Sequence, residues 1–223
     1  MADSPWQYDA RPSVRRFRDT RTGRFLAASK AIDIRDGFVE RRRADAEALT
    51  RQLADQSITV QEWERQMTEA IRQLHTAQYA LGRGGLNAMT PADWDAAAAL
   101  VEEQRRYLRD FARDVAAGNL SEAQIAARAK LYYGSSVAAY ERGRASAFGV
   151  ALPAYPGDGS TVCKSSCRCY WQLAEKDDTV EATWKRSASE SCSTCKTRAA
   201  AWSPLAIARP ARGRIAQLLR VVA

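Results

Sequence analysis

Residues 59–82 read TVQEWERQMTEAIRQLHTAQYALG, and this stretch decides the fold class. Val60, Trp63, Met67, Ile71, Leu74 and Leu81 recur at helical spacing, which gathers them on one face of an α-helix. Thr59 stands at its start: its hydroxyl can accept the backbone N–H of Glu62, and the Glu62 carboxylate can return a bond to the Thr59 amide, a capping box. Gly82 is expected to end the helix in a left-handed conformation. A helix with one long apolar face needs partners to cover it, and the neighbouring segments supply them.

Downstream, Thr90-Pro91-Ala92-Asp93 opens a second helix, with Pro91 at the first helical position and Asp93 near the positive end of the dipole. Its expected buried face is Trp94, Ala98, Val101, Leu108, Phe111 and Val115. Ser121-Glu122-Ala123-Gln124 starts a third after Gly118, with Ile125, Leu131, Tyr132, Val137 and Tyr140 to bury. Upstream, a charge-rich helix spans roughly residues 36–56. Short connections between long amphipathic helices imply antiparallel neighbours. The chain is therefore expected to be mainly α, with an antiparallel helical bundle over residues 35–150.

The pattern changes after Gly149. Residues 152–160, LPAYPGDGS, are too rich in Pro and Gly to continue a helix. Residues 170–173 and 179–184 are strand-like runs flanking Glu175-Lys176-Asp177-Asp178, which reads as a β-hairpin. Residues 194–201 suit a short helix that Trp202-Ser203-Pro204 stops. Trp171 and Trp184 lie on opposite strands and can pack together. A small unit is thus expected over residues 151–204. Residues 1–34 are expected to form a flexible basic arm with a short hairpin at residues 16–26, turning at Gly23, and residues 205–223 a basic tail.

Five cysteines fall within this small unit, as Cys163, Cys167 and Cys169 before the hairpin and Cys192 and Cys195 after it. A hairpin returns the chain to where it left, so the two groups meet, and gaps of two or three residues let a tight turn aim both thiolates at one metal. The spacing predicts one structural Zn2+ held by four of Cys163, Cys167, Cys169, Cys192 and Cys195 in a zinc-ribbon or knuckle-like arrangement, with Cys192 and Cys195 the surest ligands. A Cys-x-x-Cys redox centre is the first alternative, but it normally opens a helix within an α/β pattern that this sequence lacks. Disulfide stapling is the second, disfavoured by the odd count and by the absence of an apolar signal segment in residues 1–18, which suggests a reducing compartment. No histidine lies near the cysteines to serve as a base, so the ion is expected to contribute folding free energy rather than catalysis. His75, the single histidine, is expected to pack in a helix. No catalytic set can be assembled, and the chain is expected not to be an enzyme.

The net charge is +8 over 223 residues, and the excess sits at the two ends. From Ser191 to Ala223 there is no acidic residue. Arg209, Arg212, Arg214 and Arg220, with Arg15 and Arg16 at the other end, are candidates for contact with nucleic acid or an acidic partner. The same charges also suit a solvated tail. No apolar run approaches the roughly 20 residues of a membrane span, which excludes a membrane-spanning protein and points away from membrane partners.

The order of parts carries a resemblance. An Arg18-Asp19 element followed by Thr22-Gly23-Arg24-Phe25, a helical middle, a Pro/Gly loop and then Cys167-Arg168-Cys169 resembles tailed-phage head morphogenesis proteins of the Mu F-like minor capsid class. Trp184, Cys192, Cys195 and Trp202-Ser203-Pro204 are similar to a variant subgroup. The chain departs from the family in lacking its usual histidine and in placing Cys-x-x-Cys after Cys-Arg-Cys. The resemblance implies a non-enzymatic minor virion protein inside the phage head, made in the host cytoplasm and acting in head morphogenesis, DNA packaging or ejection near the portal. It implies the portal or the major capsid protein as partner, packaged double-stranded DNA as a further contact, and no small-molecule substrate. The competing expectation is a zinc-containing nucleic-acid-binding regulator whose helices dimerise.

Overall fold

The computed structural model describes residues 6–11, 14–187 and 191–209. In chain order the elements are β1 (Trp6–Asp9), β2 (Arg16–Asp19), α1 (Ala28–Ala54), α2 (Val60–Arg83), α3 (Pro91–Ala116), α4 (Glu122–Gly134), α5 (Ser136–Phe148), β3 (Tyr170–Lys176), β4 (Thr179–Lys185), α6 (Ser193–Ala201) and β5 (Leu205–Ala208). The chain is mainly helical with two small antiparallel sheets. No helix among the described residues is long and apolar enough to cross a membrane.

α2 is the centre of the bundle because its apolar stripe is covered from several sides. Trp63, Met67, Ile71 and Leu74 are buried against Leu108 and Phe111 of α3, Tyr132 and Tyr133 of α4 and Ala46 of α1. The Trp63 ring meets Phe111 edge-on at 5.3 Å, and Phe111 stacks on Tyr132 at 6.0 Å. Contacts run in opposite senses along successive helices: Gln78 donates to the Arg35 carbonyl while Arg42 reaches Gln73, and Tyr79 reaches Asp93 while Trp63 reaches Phe111. α1 and α3 are therefore antiparallel to α2.

Capping follows the sequence at the start of each of these helices. Thr90–Asp93 and Ser121–Gln124 form complete capping boxes. At α2 only half of the box forms: Thr59 Oγ1 accepts from the Glu62 amide at 3.1 Å, while the Glu62 carboxylate turns to Arg65 and Gln66. A bidentate arginine three residues on outcompetes the Thr59 amide for that carboxylate.

Three expectations about this region are corrected. Gly82 does not end α2; Gly84, with φ +110°, is the left-handed cap. Gly82 instead lies inside the helix, where a Cβ would collide with the Tyr140 carbonyl of α5, and a Cβ on Gly143 would collide with the Tyr79 carbonyl of α2. The two glycines let α2 and α5 cross backbone against backbone. Next, the run beginning at Ser121 is not one helix. It breaks at Ser135, where Ser135 and Ser136 hydroxyls donate to the Tyr132 and Tyr133 carbonyls at 2.7 and 2.6 Å, competing with the helical ladder. Gly134 at this break leaves room for the Ser165 carbonyl of the cysteine loop. Finally, Trp94 and Leu131 are 44% and 46% exposed, whereas Ala97 and Ala129 are buried. The apolar side chain nearest to the expected face was in each case not the one that faces the core.

At the N-terminal end, β2 pairs with β1 in the register Trp6↔Asp19 to Asp9↔Arg16, so the hairpin expected over residues 16–26 is a subsidiary feature. Its turn does form, with Gly23 at φ +72° and a single bridge Arg18↔Phe25. Tyr8 and Phe17 meet edge-on at 5.1 Å on one face of this sheet.

The second sheet has the order β3-β4-β5. β3 and β4 are joined by the tight turn Asp177-Asp178, with Asp177 at φ +49°, as the right-handed twist of a two-residue hairpin requires. β5 pairs with β4 from Thr179↔Ala208 to Ala182↔Leu205. Residues 205–208, read from the sequence as the start of a basic tail, are thus the third strand of the sheet. Alternating apolar positions in residues 205–208 are too few to give a period-2 signal above that of an ordinary tail.

Candidate metal centre

Cys163 precedes a single 3-10 turn, Lys164–Ser166, and Cys167 follows it. Lys164 within the turn takes φ +47°. Cys169 lies one residue before β3, Cys192 caps α6, and Cys195 sits in the first turn of that helix. All five thiols are free of disulfides; Cys167, Cys169 and Cys195 are buried, and Cys163 and Cys192 are partly exposed.

The sulfurs converge in one cluster. Cys163 Sγ is 3.8 Å from Cys195 Sγ and 3.6 Å from Cys192 Sγ, and Cys167 Sγ is 3.6 Å from Cys195 Sγ. A tetrahedral ion with bonds of about 2.3 Å to sulfur sets an edge of about 3.8 Å between its ligands. The cysteines are therefore close enough together to hold a metal ion. Their grouping is specific: Cys163, Cys192 and Cys195 lie within 4.8 Å of one another, as do Cys167, Cys169 and Cys195. Cys195 belongs to both groups.

Hydrogen bonds among the thiols and burial push their acidities in opposite directions. The backbone amides of Cys195 and Cys163 donate to Cys192 and, against burial, lower its pKa to about 7. The Cys167 thiol, hydrogen-bonded to Cys169, lowers the latter to about 6. Cys167 is raised by that same bond and by burial, and burial raises Cys195. Thiolates packed this closely repel one another, and a bound cation removes that repulsion.

Three tryptophans shield the cluster. Trp171 and Trp184 are directly opposite in the hairpin and meet edge-on at 5.1 Å, as the strand pairing suggests. Trp202 stacks on Trp171 at 5.3 Å. Arg198 lies over both Trp184 and Trp202. The cluster shares this apolar environment with Ala145 of α5 and Leu152, so the small unit is built directly onto the bundle.

A buried ionic network makes that joint. The Arg35 side chain is fully buried and donates to the Arg168 and Cys169 carbonyls at 3.3 and 3.2 Å and to Glu141 at 3.2 Å. Burial opposes its charge, but Glu141 and Asp36 hold its pKa above the ordinary arginine value. Glu141 also accepts from the Trp171 amide at 3.3 Å, and Arg144 donates to the Trp171 carbonyl. The backbone on both sides of Cys169 is thereby fixed by side chains of α1 and α5. The sequence reading missed Arg35, Glu141 and Arg144, although Glu141 follows the small apolar run Val137-Ala138-Ala139-Tyr140 on a helix and could have been flagged as a buried acid.

The basic candidates divide. Arg15 is buried and spent internally, bound to Glu175 at 2.9 Å and to the Ala147 carbonyl. Arg209 also pairs with Glu175, and its amide donates to the Asp178 carbonyl at 3.0 Å. Both guanidinium groups thus share one partly buried carboxylate, which offsets one of their two positive charges. Arg16 is exposed. Arg212, Arg214 and Arg220 lie outside the described residues.

His75 is far from the cysteines in chain position and packing, 2% exposed, with Nε2 3.2 Å from the Tyr132 carbonyl. Burial lowers its pKa to about 4. Between that value and the unfolded value of about 6.5 the unfolded chain binds the extra proton, so stability falls as pH drops through this window, by roughly 3 kcal/mol in all. Urea melts of metal-free protein at pH 7 and pH 4.5 are expected to show this loss, and His75→Asn to remove most of it. An unchanged slope in the variant would assign the acid sensitivity to other groups.

The fold and site define a helical protein carrying a shielded cysteine cluster able to hold a metal ion. Comparison with protein families, curated proteins and solved structures finds no match for the chain.

Proposed function

We propose that the chain is a non-enzymatic minor structural protein of a tailed-phage head, in which one zinc ion clamps the β3-β4 hairpin and α6 onto the helical bundle. The observation that carries the clamp is the convergence of Cys163, Cys167, Cys169, Cys192 and Cys195 around the shared Cys195. Zinc suits an all-thiolate donor set, among the described residues no histidine or carboxylate joins the cysteines, and a closed ligand shell makes the ion structural. The head assignment rests on the order of arm, helices, Pro/Gly loop and Cys167-Arg168-Cys169, which resembles the head morphogenesis class. In that reading the protein sits near the portal, meets the portal or major capsid protein, and serves morphogenesis or DNA passage.

Arg16, Arg18 and Arg24 are exposed on the N-terminal sheet and its turn, which suits a surface close to packaged DNA. The same arginines support the second reading, a zinc-containing nucleic-acid-binding regulator. Mass spectrometry of purified phage particles separates the two. A few copies per particle, retained after nuclease treatment, are expected for a head protein. Absence from particles together with salt-resistant preference for one short DNA sequence would establish the regulator instead.

A further inference from the structure

We infer that the cysteine cluster has a second mode of occupancy, in which two Cu(I) ions each take three thiolates and share Cys195 as a bridge. The inference rests on the cluster being a metal site, and it concerns how many ions of which chemistry the site can accept.

The count of donors comes first. One tetrahedral ion uses four thiolates and leaves the fifth over. Two tetrahedral ions sharing one sulfur need seven donors, and among the described residues no histidine or carboxylate joins either group. Two three-coordinate ions sharing one sulfur need five donors, which is the number present. The arrangement matches this division, since the thiols fall into Cys163-Cys192-Cys195 and Cys167-Cys169-Cys195 and no fourth sulfur joins either group within 4.8 Å.

Distances are compatible with the count. A three-coordinate ion with bonds of about 2.3 Å to sulfur requires edges of about 4.0 Å. The edges of 3.8 Å and 3.6 Å in the first group and 3.6 Å in the second are somewhat short of that value and fit a tetrahedral edge as well, so the division of the sulfurs into two triads, rather than edge length, carries the inference. Each triangle opens slightly to admit an ion, whereas a single tetrahedral set must draw sulfurs across from one triangle to the other.

Chemistry then selects the ion. An all-sulfur donor set is soft, and Cu(I) is the soft monovalent ion that thiolates select alongside zinc. Cys195 is 0% exposed and Trp171 and Trp184 are 0% and 1% exposed, so the bridge is shielded from water and from oxidants. The Cys163 and Cys192 side is partly exposed, which provides the path of entry. Binding exchanges thiol protons for metal and releases them to solvent; neither copper nor sulfur changes oxidation state.

The test is an anaerobic titration of the reduced, metal-free full chain with Cu(I) supplied as its acetonitrile complex. Native mass spectrometry reads stoichiometry, and Cu(I)–thiolate luminescence reads shielding from water. Two copper ions per chain are expected for the parent protein, with the luminescence rise ending at two equivalents. Cys163→Ser leaves only the Cys167 group intact and Cys169→Ser leaves only the Cys163 group, so each is expected to stop at one ion. Cys195→Ser breaks both and is expected to lose the luminescence. Any endpoint other than two in the parent chain overturns the inference, whatever the variants do. A parallel zinc titration keeps the two readings apart: one zinc with one copper overturns only the two-ion mode, whereas no uptake of either metal overturns the clamp as well.

Discussion

Cys195→Ser is expected to release bound metal and unfold the segment from residue 150 to residue 209 while the helical bundle stays folded. Cys195 is the sulfur common to both thiol groups, so its loss breaks both at once. The apolar cluster around the cysteines, centred on Trp171, Trp184 and Trp202, shares no residue with the core around Trp63 and Phe111. A unit so small has little core to fall back on. Binding of structural zinc contributes about 10–16 kcal/mol in small zinc-folded peptides, comparable to the whole stability of a typical domain at about 5–15 kcal/mol. Hydrogen exchange is expected to show lost protection in β3, β4 and α6 but not in α2 or α3. The Trp171, Trp184 and Trp202 emission should shift toward that of solvated indole. A chelator acting on the parent protein should reproduce both effects. Retention of full protection in β3 and β4 in the variant would mean that hairpin packing, rather than metal, holds the unit.

Much of this architecture was legible because the relevant signals are local. The caps at Thr90 and Ser121, the stripe from Trp63 to Leu74 and the hairpin about Glu175–Asp178 each announce themselves within a few residues, although β3 runs on to Lys176 and leaves a tighter turn than expected. The cysteine groups were legible for a different reason: a hairpin between them forces them together, so one local inference carried a long-range contact. What escaped were contacts that only the assembled fold creates. Gly82 reads as a helix end because glycine commonly ends helices, yet its purpose is set by Tyr140 on a helix more than fifty residues away. Arg15 and Arg209 read as free cations, since nothing in either neighbourhood signals that both converge on Glu175. The same limit hid Arg35, a charged residue in a charge-rich helix that looks like a solvated face.

That arginine carries the second large effect. Glu141→Leu is expected to destabilise the protein by about 3–5 kcal/mol, because it leaves the fully buried Arg35 side chain without its most deeply buried counter-charge. Arg35→Met is expected to cost a similar amount, since Glu141 then keeps only Arg144 and the Trp171 amide, and the Arg168 and Cys169 carbonyls lose their donor. The double variant should lose less than the sum of the two, as residues in one network are not independent. Simple loss of packing would give additive losses instead. Metal affinity supplies a second readout. Arg35 orients the peptide groups on either side of Cys169, and removal of groups that orient a ligand commonly lowers metal affinity by about 10–100-fold. Arg35→Met should therefore weaken zinc binding in competition with a chromophoric chelator even under conditions where the bundle remains fully folded. A variant that is destabilised yet binds zinc as tightly as the parent would confine Arg35 to packing α1 against α5. Joint loss of stability and affinity is expected because the same guanidinium neutralises Glu141 and holds the strand that presents Cys169, so the bundle and the metal site share one buried charge.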